Sequence, residues 1–298
     1  DTVGRTGGDE FVLILPSIDQ PGEAAQVAER VLAAMQRPFD IGAHQLTVSC
    51  SIGISLMPDD GRDLQNLLMN ADLAMYHAKA HGRSTFRFYT REMNVEVAER
   101  LHLETRLRRA IEHGELYLVY QPQFNMSGER LLGCEALVRW RDPEHGLIMP
   151  SRFIPIAEDS GLVVPLGRWV LREACHQAAQ WYESGLRPVR MAVNVSARQL
   201  TRPDFVDDVR DALQSSGLPG YCLEIEVTES TLMEDADFAA RQLAVIKAMG
   251  VRLSIDDFGT GYSSLAYLKR FAPDTIKIDR SFIIDLPQDE ENAAIVSA

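Results

Sequence analysis

The sequence predicts an α/β protein of two units, the second of them an α/β barrel. Three observations carry this. At about 150 residues per domain, 298 residues make two. Apolar residues are 46% and charged residues 24%, the balance of a soluble globular protein and not of a disordered, collagen-like or coiled-coil chain. From Leu116 onward, short apolar runs alternate with amphipathic segments, as repeated strand–helix units do. No apolar run approaches the ~18–20 residues a membrane helix needs.

Residues 4–15 read as a β-hairpin. Gly7 and Gly8, followed by Asp9 and Glu10, separate a short extended run from the apolar run that begins at Phe11. Residues 23–35 have helical spacing. Residues 46–57, rich in Val, Ser and Ile, read as a strand. Leu64, Leu67, Leu68, Ala71, Ala74, Met75 and Ala78 repeat as one helical stripe, and 85–89 reads as a short strand. Residues 91–114 read as a linker helix. Glu96/Arg100 and Glu104/Arg108 are i,i+4 pairs in the favourable order, each worth about 0.3 kcal/mol. Met93, Val97 and Leu101 make one stripe; Leu103, Leu107 and Ile111 make the next.

In the second unit the expected strands are 116–123, 131–140, 189–195, 222–228, 251–256 and 274–279. The expected helices are 166–184, 204–215, 236–249 and 289–298. Six strands are two short of an eight-stranded barrel.

Net charge is −13, which argues against a basic nucleic-acid surface. It leaves room for a phosphorylated ligand, because clustered carboxylates hold divalent metals that bind phosphate. Four cysteines stand at 50, 134, 175 and 222 with no CxxC, as in a reducing cytoplasm rather than a disulfide framework. The chain begins at Asp1 and stops within an expected helix. It therefore reads as part of a longer protein, with room for an upstream sensor or membrane anchor.

Polar residues end the apolar strands of the second unit. They are Glu135, Asn194, Glu226 with Glu229 three residues on, Asp256 and Asp257, and Lys277 with Asp279. Strand C-termini converge at one mouth of a barrel, where active sites lie. Carboxylates with an amide oxygen form a hard-oxygen set suited to Mg²⁺ or Mn²⁺, and two bridged metals are a known arrangement for phosphodiester cleavage. Asp256-Asp257, where the pleat breaks, can aim both side chains at that site. Each acid alone reads as a solvated strand end or a helix cap. Five such positions, each behind an apolar strand, do not. For Lys277, a structural pair with Asp279 competes with a role at the site.

These residues carry a resemblance. Residues 104–298 resemble the EAL domain, a bacterial cyclic di-GMP phosphodiesterase. The matches are Tyr120-Gln121-Pro122, Glu135-Ala136-Leu137-Val138-Arg139-Trp140, Phe153-Ile154-Pro155-Ile156-Ala157-Glu158, Asn194-Val195-Ser196, Glu226-Val227-Thr228-Glu229, Asp256-Asp257-Phe258-Gly259-Thr260-Gly261 and Lys277-Ile278-Asp279. Residues 1–89 resemble the C-terminal half of a GGDEF diguanylate cyclase domain, through Arg5-Thr6-Gly7-Gly8-Asp9-Glu10-Phe11, Ser51-Ile52-Gly53, Ala71-Asp72-Leu73-Ala74-Met75-Tyr76 and Ala78-Lys79-Ala80-His81-Gly82-Arg83. The resemblance implies a partial GGDEF domain over 1–90 (a cyclase-like α/β sheet), a linker helix over 91–114, and over 115–298 a TIM-barrel-like EAL barrel lacking its last strands.

It also implies roles. Glu135, Asn194, Glu226 and Asp256 would ligate a first Mg²⁺ or Mn²⁺, and Asp256 with Asp257 would serve a second. Lys277 would hold the nucleophilic water. Gln121, Arg139 and Asp279 would meet the cyclic dinucleotide. Glu229 would anchor the loop over 258–264, which the family links to homodimer formation. The reaction would be hydrolysis of cyclic di-GMP to linear pGpG. In the first unit, Gly7 and Gly8 would admit a guanine nucleotide, Asp9 and Glu10 would serve metal and catalysis, and Lys79 and Arg83 would contact GTP phosphates. The family's second-metal glutamate motif lies past residue 298, so the resemblance implies impaired activity for these residues alone. A cyclic di-GMP receptor that does not hydrolyse its ligand and a bifunctional protein with cyclase activity remain the alternatives. No nucleic-acid polymer is expected as partner.

Overall fold

The structure is a computed structural model, and it describes residues 1–284 apart from 19, 43, 81, 187–189 and 260–264. The expected helix over 289–298 lies outside the described residues. Contacts divide the chain into Asp1–Leu101 and His102–Ala298.

The first unit opens with the predicted hairpin. β1 (Thr2–Gly7) and β2 (Glu10–Ile14) pair antiparallel, and Gly8 takes φ +51 at the turn, a value that favours glycine. α1 (Pro21–Met35) follows, with proline in its first turn and Ala24 and Ala28 buried. β3 (Phe39–Ile41) and β4 (His44–Leu46) form a second hairpin. β5 (Ile52–Ile54) pairs in parallel with β6 (Phe86–Phe88), and α2 (Leu64–Ala80) connects them. The single strand expected over 46–57 is therefore two pieces. The end of β4 serves one ladder and β5 another, and the chain must leave the first to reach the second. A Cβ on Gly53 would stand 1.9 Å from the Ala71 carbonyl oxygen and 2.2 Å from the Met75 nitrogen, so only glycine lets α2 lie this close to β5.

α3 (Arg91–His113) is the helix expected over 91–114. Its first residues count with the first unit and those from His102 with the second, where Leu103, Leu107 and Ala110 are buried.

In the second unit β7 (Leu116–Phe124) is antiparallel to β8 (Leu131–Asp142), and β9 (Gly146–Ile148) pairs antiparallel with the end of β8. α4 (Pro150–Ser160) and α5 (Val163–Glu183) lead to β10 (Arg190–Asn194). α6 (Ala197–Leu200) and α7 (Phe205–Ser216) lead to β11 (Leu223–Thr228). α8 (Glu229–Glu234) and α9 (Ala236–Ala248) lead to β12 (Arg252–Phe258), and α10 (Leu265–Phe271) leads to β13 (Thr275–Ile278). The sheet order is β13-β12-β11-β10-β8-β7, parallel from β8 to β13. All six expected strands are present, and β9 is an addition. The expected helices over 166–184, 204–215 and 236–249 appear as α5, α7 and α9.

Alternate residues of a strand face opposite sides, and here the sides differ in kind. Met191, Val193, Ile225, Val227, Leu253 and Ile255 are all buried, on the face that the helices cover. Trp140 packs edge-to-face on Phe153 there, with ring centres 5.8 Å apart. The other face carries Glu135, Asn194, Glu226, Asp256 and Lys277. The helices on one side thus fix the strands, and the strands fix a polar inner face.

Candidate active site

The inner-face residues meet at the C-terminal ends of β10, β11, β12 and β13; Glu135, expected at a strand end, lies within the first half of the long strand β8, which runs on past it to Asp142. The Lys277 ammonium lies at the centre of these residues. Its Nζ donates to Glu226 Oε2 at 2.9 Å, Asp256 Oδ2 at 2.8 Å and Glu135 Oε2 at 3.1 Å. Asn194 Nδ2 donates to Glu135 Oε1 at 2.7 Å. Five strands, with partners separated by up to 142 positions in sequence, therefore join in one network.

The charges work on one another. Burial pushes the Glu226 carboxyl up, the Glu135 charge adds to this, and the result is about 7 despite the Lys277 ammonium beside it. Burial alone would lower the Lys277 pKa, but hydrogen bonds to Asp256 and Glu226 and the Glu135 charge raise it above the ordinary lysine value. Lys277 is thus held as a cation. Its expected competitor, a pair with Asp279, is not the arrangement observed. Asp279 instead caps the turn after β13, accepting from the Ser281 amide at 2.8 Å, and its pKa is lowered by Ser281.

Asp257 shows how the strand end breaks. Its φ is +53, the left-handed region that non-glycine residues seldom enter, and the β12–β13 register shifts between Ile255 and Phe258. The Asp256 and Asp257 side chains consequently leave the pleat's simple alternation. Asp257 hydrogen-bonds Asp279, and burial, then the Asp256 and Asp279 charges, raise its pKa. The next turn is held by Glu229, a buried residue whose Oε2 accepts from the Gly259 amide at 3.4 Å. Residues 260–264, in the loop expected to serve homodimer formation, lie outside the described residues.

Gln121 stands opposite Glu135 in the β7–β8 register. Arg139 lies two residues beyond Leu137 on the same face of β8 and donates to the Val138 carbonyl at 2.8 Å. Both are thus on strands that border the cluster.

Among the described residues no group of three or more His, Cys, Asp or Glu side chains is placed to hold a metal ion as it stands. The carboxylates are drawn to the ammonium instead. The donors nevertheless suit a hard divalent cation. All are carboxylate or amide oxygens, and Glu226 Oε1 is buried with no hydrogen-bond partner among the described residues.

The first unit's candidate residues are less gathered. Gly7 ends β1 opposite Glu10, and Asp9 lies in the turn between them. Arg5 Nε donates to the Gly8 carbonyl at 2.9 Å and pins that turn. Lys79 is in the last turn of α2, and Arg83 follows it with φ +52. Among the described residues no ion pair or hydrogen bond joins Lys79 or Arg83 to Asp9 or Glu10.

Sequence reasoning missed a second polar group on the inner face. Arg190 Nη1 donates to Glu224 Oε2 at 2.8 Å, and Thr275 Oγ1 donates to the same oxygen at 3.2 Å. The signal was available: Arg190, Glu224 and Thr275 each precede a mouth residue by two or four positions.

Comparison with known proteins follows the same division. The family model "Diguanylate cyclase, GGDEF domain" matches residues 1–85. The chain is 48% identical over 298 residues to the bifunctional diguanylate cyclase/cyclic di-GMP phosphodiesterase MucR of Pseudomonas aeruginosa, covering all of this chain and 43% of that protein. It is 42% identical over 297 residues to the cyclic di-GMP phosphodiesterase PdeR of Escherichia coli, covering 99% of this chain and 44% of that one. The chain thus spans less than half the length of these relatives. A solved structure of the MucR phosphodiesterase in complex with c-di-GMP matches with TM-score 0.63 and 49% identity, over 66% of this chain and 79% of that one. The FimX EAL domain of Xanthomonas citri, in complex with c-diGMP, matches with TM-score 0.61 and 26% identity, over 67% and 78%. The EAL domain model covers residues 104–298, more than half of the chain, and this chain belongs to the EAL domain family.

Proposed function

We propose that the second unit hydrolyses one phosphodiester of cyclic di-GMP, giving linear pGpG, with Mg²⁺ or Mn²⁺. The observation that carries this reading is the Lys277 ammonium held within 3.1 Å of three carboxylates from three strands at one sheet end. Such a cluster has more negative charge than one lysine offsets. The c-di-GMP complex of the MucR phosphodiesterase, at 49% identity, supports the choice of ligand.

Glu135, Asn194, Glu226 and Asp256 would hold one cation, and Asp256 with Asp257 a second. Divalent metals there would neutralise phosphate charge and make water a competent nucleophile near neutral pH. Within the protein, Lys277 donates hydrogen bonds, which orients a water or phosphate oxygen placed among the carboxylates. Glu229 holds the Gly259 amide and so fixes the strained Asp257 turn. The Arg139 guanidinium offers its remaining N–H groups to a phosphate, and Gln121 offers its amide beside Glu135. In the first unit, the open Gly7-Gly8 turn, where added Cβ atoms would meet nothing within 4 Å, leaves space for a guanine nucleotide beside Asp9 and Glu10.

The test is turnover of cyclic di-GMP to pGpG, followed chromatographically with saturating Mn²⁺, in the longest available form of the protein. Glu135→Ala is expected to lower it by more than about 100-fold, beyond what loss of a metal's outer partner costs. Ca²⁺ as sole cation is expected to give little turnover, because its loose 6–8-oxygen coordination positions water poorly. Ligand binding without turnover in the parent protein would replace the hydrolase by a receptor. Near-normal turnover of Glu135→Ala would remove the metal assignment.

A further inference from the structure

The inner face of the second unit's sheet carries a second layer of charge at the opposite ends of the strands. Arg190 precedes Asn194 by four residues, Glu224 precedes Glu226 by two, Arg252 precedes Asp256 by four and Thr275 precedes Lys277 by two. Even spacing keeps each pair on one face. The strands run parallel and in register, with Glu224 beside Arg252, so these four side chains share the N-terminal end. Small residues, Ala192 on β10 and Ser254 on β12, stand between the two layers, and Gly133 lies opposite Arg190.

A cavity of about 350 Å³ opens at this end, lined by Arg130, Leu132, Arg190, Tyr221, Cys222 and Arg252. Three guanidiniums on one cavity are unexpected in a chain of net charge −13. Glu224 offsets one of them, through Arg190. Among the described residues the side chains of Arg130 and Arg252 have no hydrogen-bond or ion-pair partner. A guanidinium keeps its charge at any working pH, and its planar donors match phosphate and carboxylate oxygens. The cavity is at the small end of ligand-site volumes, and its charge calls for a compact, multiply charged anion.

We infer that this pocket binds a small phosphate-class oxyanion, at a site separate from the carboxylate mouth. Arg130 and Arg252 supply the free donors. Arg190, fixed by Glu224 and Thr275, forms the floor. Inorganic diphosphate and the phosphate of a nucleoside monophosphate share this chemistry. The inference does not depend on the hydrolase reading.

Calorimetric titration of the 298-residue chain with inorganic diphosphate, in EDTA and low salt, tests it. EDTA keeps metals from the mouth. One saturable site is expected. Arg130→Gln and Arg252→Gln are each expected to weaken it about tenfold or more, the scale of one charge-assisted hydrogen bond. Both side chains are exposed, and circular dichroism confirms that the variants fold. Arg252→Lys, which keeps the charge, is expected to weaken it less. Glu135→Gln is expected to leave it unchanged. A parallel titration with GMP separates the sources: binding lost in Arg252→Gln identifies a phosphate monoester ligand, and its absence beside diphosphate binding identifies an inorganic one. No saturable diphosphate binding at millimolar concentration overturns the proposal. So does binding that both glutamine variants leave intact, or binding that Glu135→Gln abolishes.

Discussion

The two units of the chain use their strands in opposite ways. In the first, six strands form three separate two-stranded ladders among the described residues. Its buried apolar residues are alanines, Ala24, Ala28, Ala74 and Ala78, while Val3, Phe11, Leu13, Ile14, Phe39 and Ile41 are exposed. In the second, seven strands form one sheet, and Trp140, Phe153, Phe205, Met191 and Ile225 are among its fully buried side chains. A two-stranded ladder is marginal alone, whereas several strands under packed helices are stable. The comparison teaches where precision comes from. The second unit can hold three carboxylates from three strands on one ammonium because a large apolar face fixes the strands. Among the described residues, the first unit's turn is set by local features: the Gly8 conformation and the Arg5 bond to its carbonyl.

The largest effect that sharpens this contrast is expected at Trp140. The ring is fully buried, packs on Phe153 and lies under the Arg106 guanidinium. Trp140→Ala is expected to cost about 3–5 kcal/mol, read as the second unit's unfolding midpoint in denaturant. A cost below about 1 kcal/mol would mean that the core does not hold the sheet.

Gly53→Ala probes the first unit where its packing is closest. The added methyl would overlap backbone atoms of α2, and backbone cannot rotate away as a side chain can. A loss of about 3 kcal/mol is expected, the upper part of the overpacking range. Hydrogen exchange of α2 amides should report it. Unchanged protection would show that α2 and β5 are not tightly joined.

These two positions also show what was legible in the sequence. The six strands of the second unit were readable because each ends its apolar run in a polar residue. β9 was not, since Gly146–Ile148 is too short for alternation. α4 was not recognised as a helix, with Pro155 inside it. Strand direction leaves no periodicity, so β7 was readable as a strand but its antiparallel pairing with β8 was not. The mouth residues were legible one by one. The place of Lys277 was not, because its partners come from three other strands and only the fold brings them together. The break at Asp256-Asp257 was readable as a loop start, but the left-handed Asp257 was not.

Asp142 gives a smaller, pH-dependent effect. Its carboxylate is buried, which alone would raise its pKa. The Arg106 guanidinium and the amides of His145 and Glu144 outweigh this and hold it well below the usual range. A carboxyl lowered by folding stabilises fully above its unfolded pKa of about 3.9, and the contribution is lost as pH falls through the folded value. Asp142→Asn is therefore expected to cost about 2 kcal/mol at pH 7, with the difference from wild type shrinking below about pH 4. A difference independent of pH between 3 and 7 would assign the cost to packing instead of charge.

The smallest effect is expected at Phe11. Its ring is 62% exposed, and the Arg5 guanidinium lies 5.8 Å from the ring centre. Such an exposed cation–π contact is worth about 0.5–1 kcal/mol, so Phe11→Ala is expected to lose no more than that. The hairpin's shape does not depend on the ring. It depends on Gly8 at φ +51 and on the Arg5 side chain bonded to the Gly8 carbonyl. Gly8→Ala, although a Cβ there would meet no neighbour, must force an L-residue into the left-handed region and is expected to cost about 1 kcal/mol. The two substitutions should therefore rank Gly8→Ala above Phe11→Ala, as measured by thermal unfolding of the first unit. A reversed order, with Phe11→Ala losing more than about 2 kcal/mol, would place that ring in a packed core. The contrast between a locally built first unit and a core-built second would then fail.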